Sequence, residues 1–247
     1  MKISIITIVY NNRETIADTI ESVLGQTYPD IEYIVVDGLS TDGTVDVVAK
    51  YGARISKFVS EKDKGLYDAI NKGIRMATGE IVGFLHADDI FYSANAVASV
   101  AATFKACQTD SVYADLLYVQ KEDTDKVVRN WISGNYNREN FMYGWMPPHP
   151  TFYVTKSCYE QYGLYDLRFR SAADYELMLR FLFKHKISTT YIPETLIKMR
   201  VGGKSNVTLK NRIRANREDY AAWQVNELQP RFYTRYLKPL RKLVQFL

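Results

Sequence analysis

Two adjacent carboxylates, Asp88 and Asp89, follow the short apolar run Ile81-Val82-Gly83-Phe84-Leu85. That run reads as a strand buried on both faces of a parallel sheet, and the acids stand where it must end. An isolated buried carboxylate is very costly, so the pair needs a cation. A hard divalent metal with oxygen ligands would supply one. Ligands of open α/β sheets also collect at the carboxyl ends of strands. The competing reading is local: Asp88 or Asp89 caps a segment that begins near Ser93.

Two other polar loops fall in with this one. Lys2 to Val9 is rich in β-branched residues and reads as a buried first strand, broken by Tyr10-Asn11-Asn12. Arg13 to Gln26 carries Ile16, Ile20, Val23 and Leu24 at helical spacing. Ile31 to Val36 reads as a second buried strand. It ends in Asp37-Gly38-Leu39-Ser40-Thr41-Asp42-Gly43-Thr44, where Thr41 or Asp42 can cap the next helix. Phe58 to Glu61 is a third strand, and a helix from Leu66 to Ala77 stops at Gly79. Another helix spans Asn95 to Lys105. Such alternation is a doubly wound beginning, and adjacent parallel strands would bring Tyr10-Asn11, Asp37 and Asp88-Asp89 to one edge.

After Thr109 the pattern changes. Ser111 to Val119 and Lys126 to Ile132 read as antiparallel strands, and Asn137 to Tyr143 as a short helix. Pro147, Pro148 and Pro150 exclude regular structure around His149, which is either an ordinary loop residue or a metal or phosphate contact. Ala173 to Lys184 is a helix with Asp174 in its first turn, and strands Ser188 to Ile192 and Leu196 to Arg200 close the domain. Arg200 to Ser205 is a glycine-hinged basic loop, read as a lid or a domain boundary.

The totals narrow the class. A chain of 247 residues with 47% hydrophobic and 24% charged residues suits one large α/β domain with an appendage. Two cysteines without metal spacing fit a reduced, cytoplasmic setting. No signal peptide is read at the start, and no run reaches the ~18 apolar residues of a spanning helix. The net charge of +4 is uneven: Lys204 to Leu247 holds ten Lys or Arg against three Asp or Glu. Within it, Tyr236, Leu237, Leu240, Leu243, Val244 and Leu247 lie beside Arg235, Lys238, Arg241 and Lys242. Residues 229–247 therefore read as a basic amphipathic helix, either lying on an anionic membrane surface or packed on the domain or on a second copy in a homodimer. No nucleic-acid-binding module is recognisable.

Taken together, these segments resemble the family 2 glycosyltransferases, inverting nucleotide-sugar enzymes of the GT-A fold, and more narrowly the bacterial members that build capsule, exopolysaccharide or lipopolysaccharide. The resemblance covers roughly the first 200 residues. It rests on Thr7-Ile8-Val9-Tyr10-Asn11, Asp37 to Thr44, Asp63-Lys64-Gly65-Leu66-Tyr67-Asp68-Ala69-Ile70-Asn71-Lys72-Gly73, His86-Ala87-Asp88-Asp89 and Ala173-Asp174-Tyr175-Glu176, in the family's order. It implies a Rossmann-like donor half over 1–109, an acceptor half over 110–203 and a helical extension over 204–247. It implies Tyr10 and Asn11 near the base of the nucleotide, with Asp37 accepting a hydrogen bond from that base. Lys64 and Asp68 would line the ribose and diphosphate, and Asp88 would reach the ribose or the metal shell. Asp89 would bind Mn²⁺ or Mg²⁺ directly, and Asp174 would be the catalytic base. Where the family often has a second acid before that base, this chain has Ala173.

The expected activity is transfer of a sugar from a nucleotide-diphosphate donor, UDP-linked by family preference, to a saccharide or lipid-linked acceptor. The expected place is the cytoplasm, at or near the inner face of the membrane. A nucleotidyltransferase would show a Gly-rich, basic first loop, which Tyr10-Asn11-Asn12-Arg13 is not. A dehydrogenase would show Gly-x-Gly-x-x-Gly after the first strand, which is missing. A non-catalytic nucleotide-sugar or glycan-binding module would need Asp89 and Asp174 only for structure.

Overall fold

The computed structural model describes residues 1–202, 209–234 and 237. The first half alternates strand and helix: β1 (Ile3–Val9), α1 (Ile16–Leu24), β2 (Ile31–Asp37), α2 (Thr44–Ala49), β3 (Lys57–Ser60), α3 (Leu66–Met76) and β4 (Ile81–Phe84). The second half brings β5 (Asp89–Phe91), α4 (Ala96–Cys107), β6 (Ser111–Val119), β7 (Val127–Trp131), β8 (Tyr153–Thr155) and α5 (Lys156–Tyr162). It closes with α6 (Ala173–Met178), which runs on as a π-helical turn to Lys184, then β9 (Thr189–Arg200) and α7 (Leu209–Val225).

All strands share one mixed sheet in the order β3-β2-β1-β4-β8-β6-β9-β5, with β7 also paired to β6. The four strands from β3 to β4 are parallel, whereas β8 enters antiparallel between β4 and β6. All seven residues of β1 are buried, because each face of the strand meets its own core. Ile6 and Ile8 join Ile34 and Val36 under α3, while Ile3, Ile5 and Val9 join Tyr33 and Val35 under α1 and α4. This is the two-residue alternation of a strand covered on both faces. On one face α3 comes so close that a Cβ on Gly73 would collide with Ile6 Cγ2.

Several elements depart from expectation. The first helix begins at Ile16, not Arg13, because residues 13–15 form a turn in which Asn12 O accepts the Ile16 amide. Asp89 opens a short strand instead of capping a helix, and it pairs with Met199 of β9. The two expected last strands are one. Ala114 faces Ile192 but Asp115 faces Thr195, so Pro193 and Glu194 bulge out of a continuous β9.

The C-terminal part packs on the domain through α7, where Ala222 and Trp223 are buried in the same core as α6. Of the stretch 229–247, only 229–234 and 237 are described, so the expected basic helix there, like the loop beyond Gly202, falls largely outside the described residues. No helix among the described residues is long and apolar enough to cross a membrane.

At the edge where β1, β2 and β4 begin, Glu32 fastens three strands. It accepts from Ser4 Oγ at 2.6 Å and from the Thr78 amide and hydroxyl at 2.7 Å, and pairs with Lys57 Nζ at 2.8 Å. Burial alone would raise its carboxyl, but Lys57, Ser4 and Thr78 outweigh that and lower it from 4.5 to about 2. A depressed carboxylate contributes stability that is full above its unfolded value and is lost as pH falls through the folded one. Thermal stability should therefore drop between about pH 4.5 and 2, and Glu32→Gln should flatten the curve in that window. An unchanged slope in the variant would contradict the assignment.

Candidate active site

The loops that leave β1 and β2 at the opposite edge are latched to each other. Asn11, in the left-handed region at φ 48°, accepts the Thr41 amide on its side chain and donates its own amide to Ser40 Oγ, both at 2.8 Å. Asp42 accepts the Arg13 amide, and Thr44 Oγ1 accepts that of Asn12. Asn11 therefore shapes the loop, and its neighbour Tyr10 projects from it, 56% exposed.

Asp37 ends β2. It is fully buried, and its oxygens accept from the Ser40 amide at 2.9 Å, from Ser60 Oγ at 2.6 Å and from Ser40 Oγ. A carboxylate enclosed and bonded in this way braces the β2–β3 edge. The carboxylate that does approach Tyr10 is Asp63. A Cβ on Gly38 would fall 2.9 Å from Asp63 Oδ2 and 3.3 Å from Tyr10 Cδ2, so the missing side chain lets these two groups converge. Lys72 binds Asp63 Oδ1 and reaches Glu61 at 3.0 Å. Burial raises the Asp63 carboxyl, with Lys72 pulling the other way. Lys64 is exposed beside this group, and its amide donates to Asp68 Oδ2 at 2.9 Å, which assigns Asp68 to the start of α3.

At the end of β4 the two adjacent acids face different surroundings. Asp88 is half-buried. Asp89 is 1% exposed, and neither of its carboxylate oxygens has a side-chain or backbone partner at ordinary hydrogen-bond geometry. Burial and neighbouring Asp88 push the Asp89 carboxyl well above the usual range, against the pull of the Arg200 amide and guanidinium. Two enclosed carboxylate oxygens without partners are what a cation at this turn would satisfy, and Asp88 beside them is the accessible acid of the pair. Among the described residues no group of three His, Cys, Asp or Glu is assembled around one point.

The cation that the sequence demanded at this turn is in part Arg200. Six per cent exposed at the end of β9, it donates to Asp88 O at 3.0 Å and Lys121 O at 3.1 Å, and pairs with Asp18 of α1 at 2.5 Å. It ties the acidic turn to both halves of the sheet.

Asp174, half-buried in the first turn of α6, meets α3. Its Oδ1 accepts from Tyr67 Oη at 3.2 Å. Tyr67 stacks on Tyr165 with centroids 5.7 Å apart, and Tyr165 Oη meets His149 Nε2 at 2.7 Å. His149 packs in turn on Phe84 and His86, each 5.6 Å away. Burial and nearby His86 lower His149 to about 3, so it is a neutral imidazole that fills the wall of the cleft. His86 is also lowered by burial, with Asp88 and Asp174 both opposing that effect. Asp88 stands in the turn after β4, and Asp174 in the first turn of α6.

Asp63, Tyr67, Tyr165 and Arg200 went unassigned in the sequence reading. Gly38 was the available signal for Asp63, since a glycine beside an acid in a polar loop marks close approach. The brace on Asp37 has a direct test. Ser60→Ala removes one donor from a buried carboxylate and should cost about 1–3 kcal/mol in denaturant unfolding. Unchanged stability would contradict the brace.

The Glycosyl transferase family 2 model matches residues 4–164. The PGL/p-HBAD biosynthesis glycosyltransferase of Mycobacterium bovis is 29% identical over 177 residues, 70% of this chain and 66% of that protein. The putative teichuronic acid biosynthesis glycosyltransferase TuaG of Bacillus subtilis is 43% identical over 90 residues, 35% of this chain and 36% of that one. S. aureus TarS in complex with UDP-GlcNAc superposes with a TM-score of 0.70 at 17% identity, over 92% of this chain and 65% of that chain. The mannosyltransferase PcManGT from Pyrobaculum calidifontis, in complex with GDP-Man and Mn²⁺, gives 0.66 at 17% identity, over 98% and 73%. The chain thus spans about two thirds of the length of the mycobacterial relative and of the TarS fragment. The mixed sheet with its covering helices is the GT-A architecture of these structural neighbours, and the chain belongs to glycosyl transferase family 2.

Proposed function

We propose that the chain moves a sugar from a nucleotide-diphosphate donor, a UDP-sugar foremost, to a saccharide or lipid-linked hydroxyl in bacterial surface polysaccharide synthesis. The observation that carries this reading is the unbroken run of side-chain contacts from His86, two residues before Asp88, through His149, Tyr165 and Tyr67 to Asp174. It connects a group suited to the leaving-group end with a group suited to the acceptor end. UDP-GlcNAc bound to TarS, GDP-Man and Mn²⁺ bound to the mannosyltransferase, and the naming of TuaG for teichuronic acid synthesis support the substrate classes.

In this reading Asp88 and Asp89 would hold a Mn²⁺ or Mg²⁺ ion. The ion would offset the negative charge that builds on the departing diphosphate. Tyr10 offers a ring face to the base, and Asp63 Oδ2 offers the acceptor oxygen first assigned to Asp37. Lys64 stands exposed where a ribose or diphosphate would pass. The Asp174 carboxylate takes the proton of the acceptor hydroxyl, with Tyr67 Oη fixing its other contact at 3.2 Å. As that oxygen bonds the anomeric carbon, the bond to the diphosphate breaks, and its electron pair leaves on the phosphate oxygen. One displacement inverts the centre.

The described end of the extension suits a peripheral contact with an anionic membrane, because Phe232 is 87% exposed beside Arg231 and Tyr233. For the chemistry, Asp174→Asn should lower turnover of the UDP-sugar that the wild type consumes by about 10²–10⁴-fold. UDP binding in the presence of Mn²⁺, followed by calorimetry, should persist. Near-normal transfer by the variant would remove Asp174 from the mechanism.

A further inference from the structure

Asp174 lies between two clamps, and both come from the C-terminal helix α7. Before it in the chain, Glu218 Oε2 accepts three successive backbone amides, from Arg170 at 3.1 Å, Ser171 at 2.7 Å and Ala172 at 3.0 Å. After it, Trp223 Nε1 donates to Tyr175 Oη and Asn226 Nδ2 to Glu176 Oε1, each at 3.0 Å. Glu176 is itself buried and paired with Arg180 at 2.8 Å. Glu218, Ala222 and Trp223 follow the helical repeat on one face of α7, and Asn226 stands in the turn that ends it.

The two clamps differ in what they hold. Trp223 and Asn226 grip side chains on α6, one turn of a helix that its own backbone bonds already define. Glu218 grips the backbone of a loop that has no such ladder. Those three amides precede α6 and would otherwise need water or one another. Hydrogen bonds to a charged acceptor are roughly twice as strong as neutral ones, so a single carboxylate can set the path of all three residues.

We propose that Glu218 is a positioning residue for Asp174: by gathering the amides of residues 170–172 it fixes where α6 begins, and with it the angle at which Asp174 enters the cleft against Tyr67. The extension is then part of the catalytic apparatus without touching substrate. The donor side, built from β1, β2 and α3, owes nothing to this contact. The proposal rests on the reading of Asp174 as the base.

The test uses the full chain and compares Glu218→Ala, Glu218→Gln and Asp174→Asn. Turnover is followed as UDP release from whichever of UDP-glucose, UDP-galactose and UDP-GlcNAc the wild type consumes, and donor-side integrity as UDP affinity with Mn²⁺. Glu218→Ala should lower kcat by about ten- to a hundredfold, the scale of a small misplacement of a reacting group, with donor KM and UDP affinity unchanged. Glu218→Gln keeps an acceptor oxygen without the charge and should recover much of the loss. Amide hydrogen exchange should rise at residues 171 and 172 in the alanine variant and less in the glutamine one. If Asp174→Asn is inactive while Glu218→Ala keeps wild-type kcat, the positioning role falls and the base survives. If Asp174→Asn keeps wild-type turnover, both fall. Should the alanine variant fail to fold, wild-type kcat and wild-type exchange in Glu218→Gln would likewise overturn the positioning role.

Discussion

Carboxylates collect at the end of β4 because a parallel strand buried on both faces can shed its polarity only at its tip. Charge gathered there has to be balanced, since a buried carboxylate left alone costs several kcal/mol or takes up a proton. The balance in this molecule is divided. Arg200 reaches the turn from β9 and anchors Asp88 through its carbonyl, tying it to α1 and to the β6–β7 side. Asp89 is withdrawn into the interior, where burial and Asp88 raise its carboxyl. Asp88 is the accessible acid of the pair.

The opposite wall is aromatic. Phe84, His149, Tyr165 and Tyr67 pass contact from the tip of β4 to Asp174 with ring spacings of 5.6 to 5.7 Å. Such a wall holds its shape at small entropic cost, because each ring has only two rotatable bonds to fix. It also keeps water away from one side of Asp174, while Tyr67 supplies a hydroxyl donor. From behind, Glu218 of α7 holds the backbone before Asp174, and Trp223 and Asn226 hold side chains after it. The cleft is thus rigid on the strand side, rigid on the aromatic side, and dependent on the C-terminal extension for its third wall.

Much of the framework was legible in the chain because burial on two faces leaves continuous apolar runs. β1, β2 and β4 stand out for that reason, as do the loops that break them. What was not legible depended on partners far along the chain. The brace on Asp37 depends on Ser60, 23 residues later, which takes one of its oxygens. Asp88 and Asp89 look equivalent until β9, more than a hundred residues on, pairs with Asp89 and sends Arg200 to Asp88. The Glu218 contact spans 46 to 48 residues and carries no local pattern. Pro193 misled for a different reason: a proline argues against a central strand, and here a bulge carries it. Asp174 was placed by family resemblance, since a lone acid in the first turn of a helix is by itself a cap.

One bound nucleotide must reach both the acidic turn after β4 and Asp174. A crystal structure with UDP and Mn²⁺ measures this directly. It should place the ion between the diphosphate and the carboxylates of Asp88 and Asp89, with Asp174 facing the nucleotide. An ion seated away from both acids, or an Asp174 carboxylate turned away from the nucleotide, would contradict it.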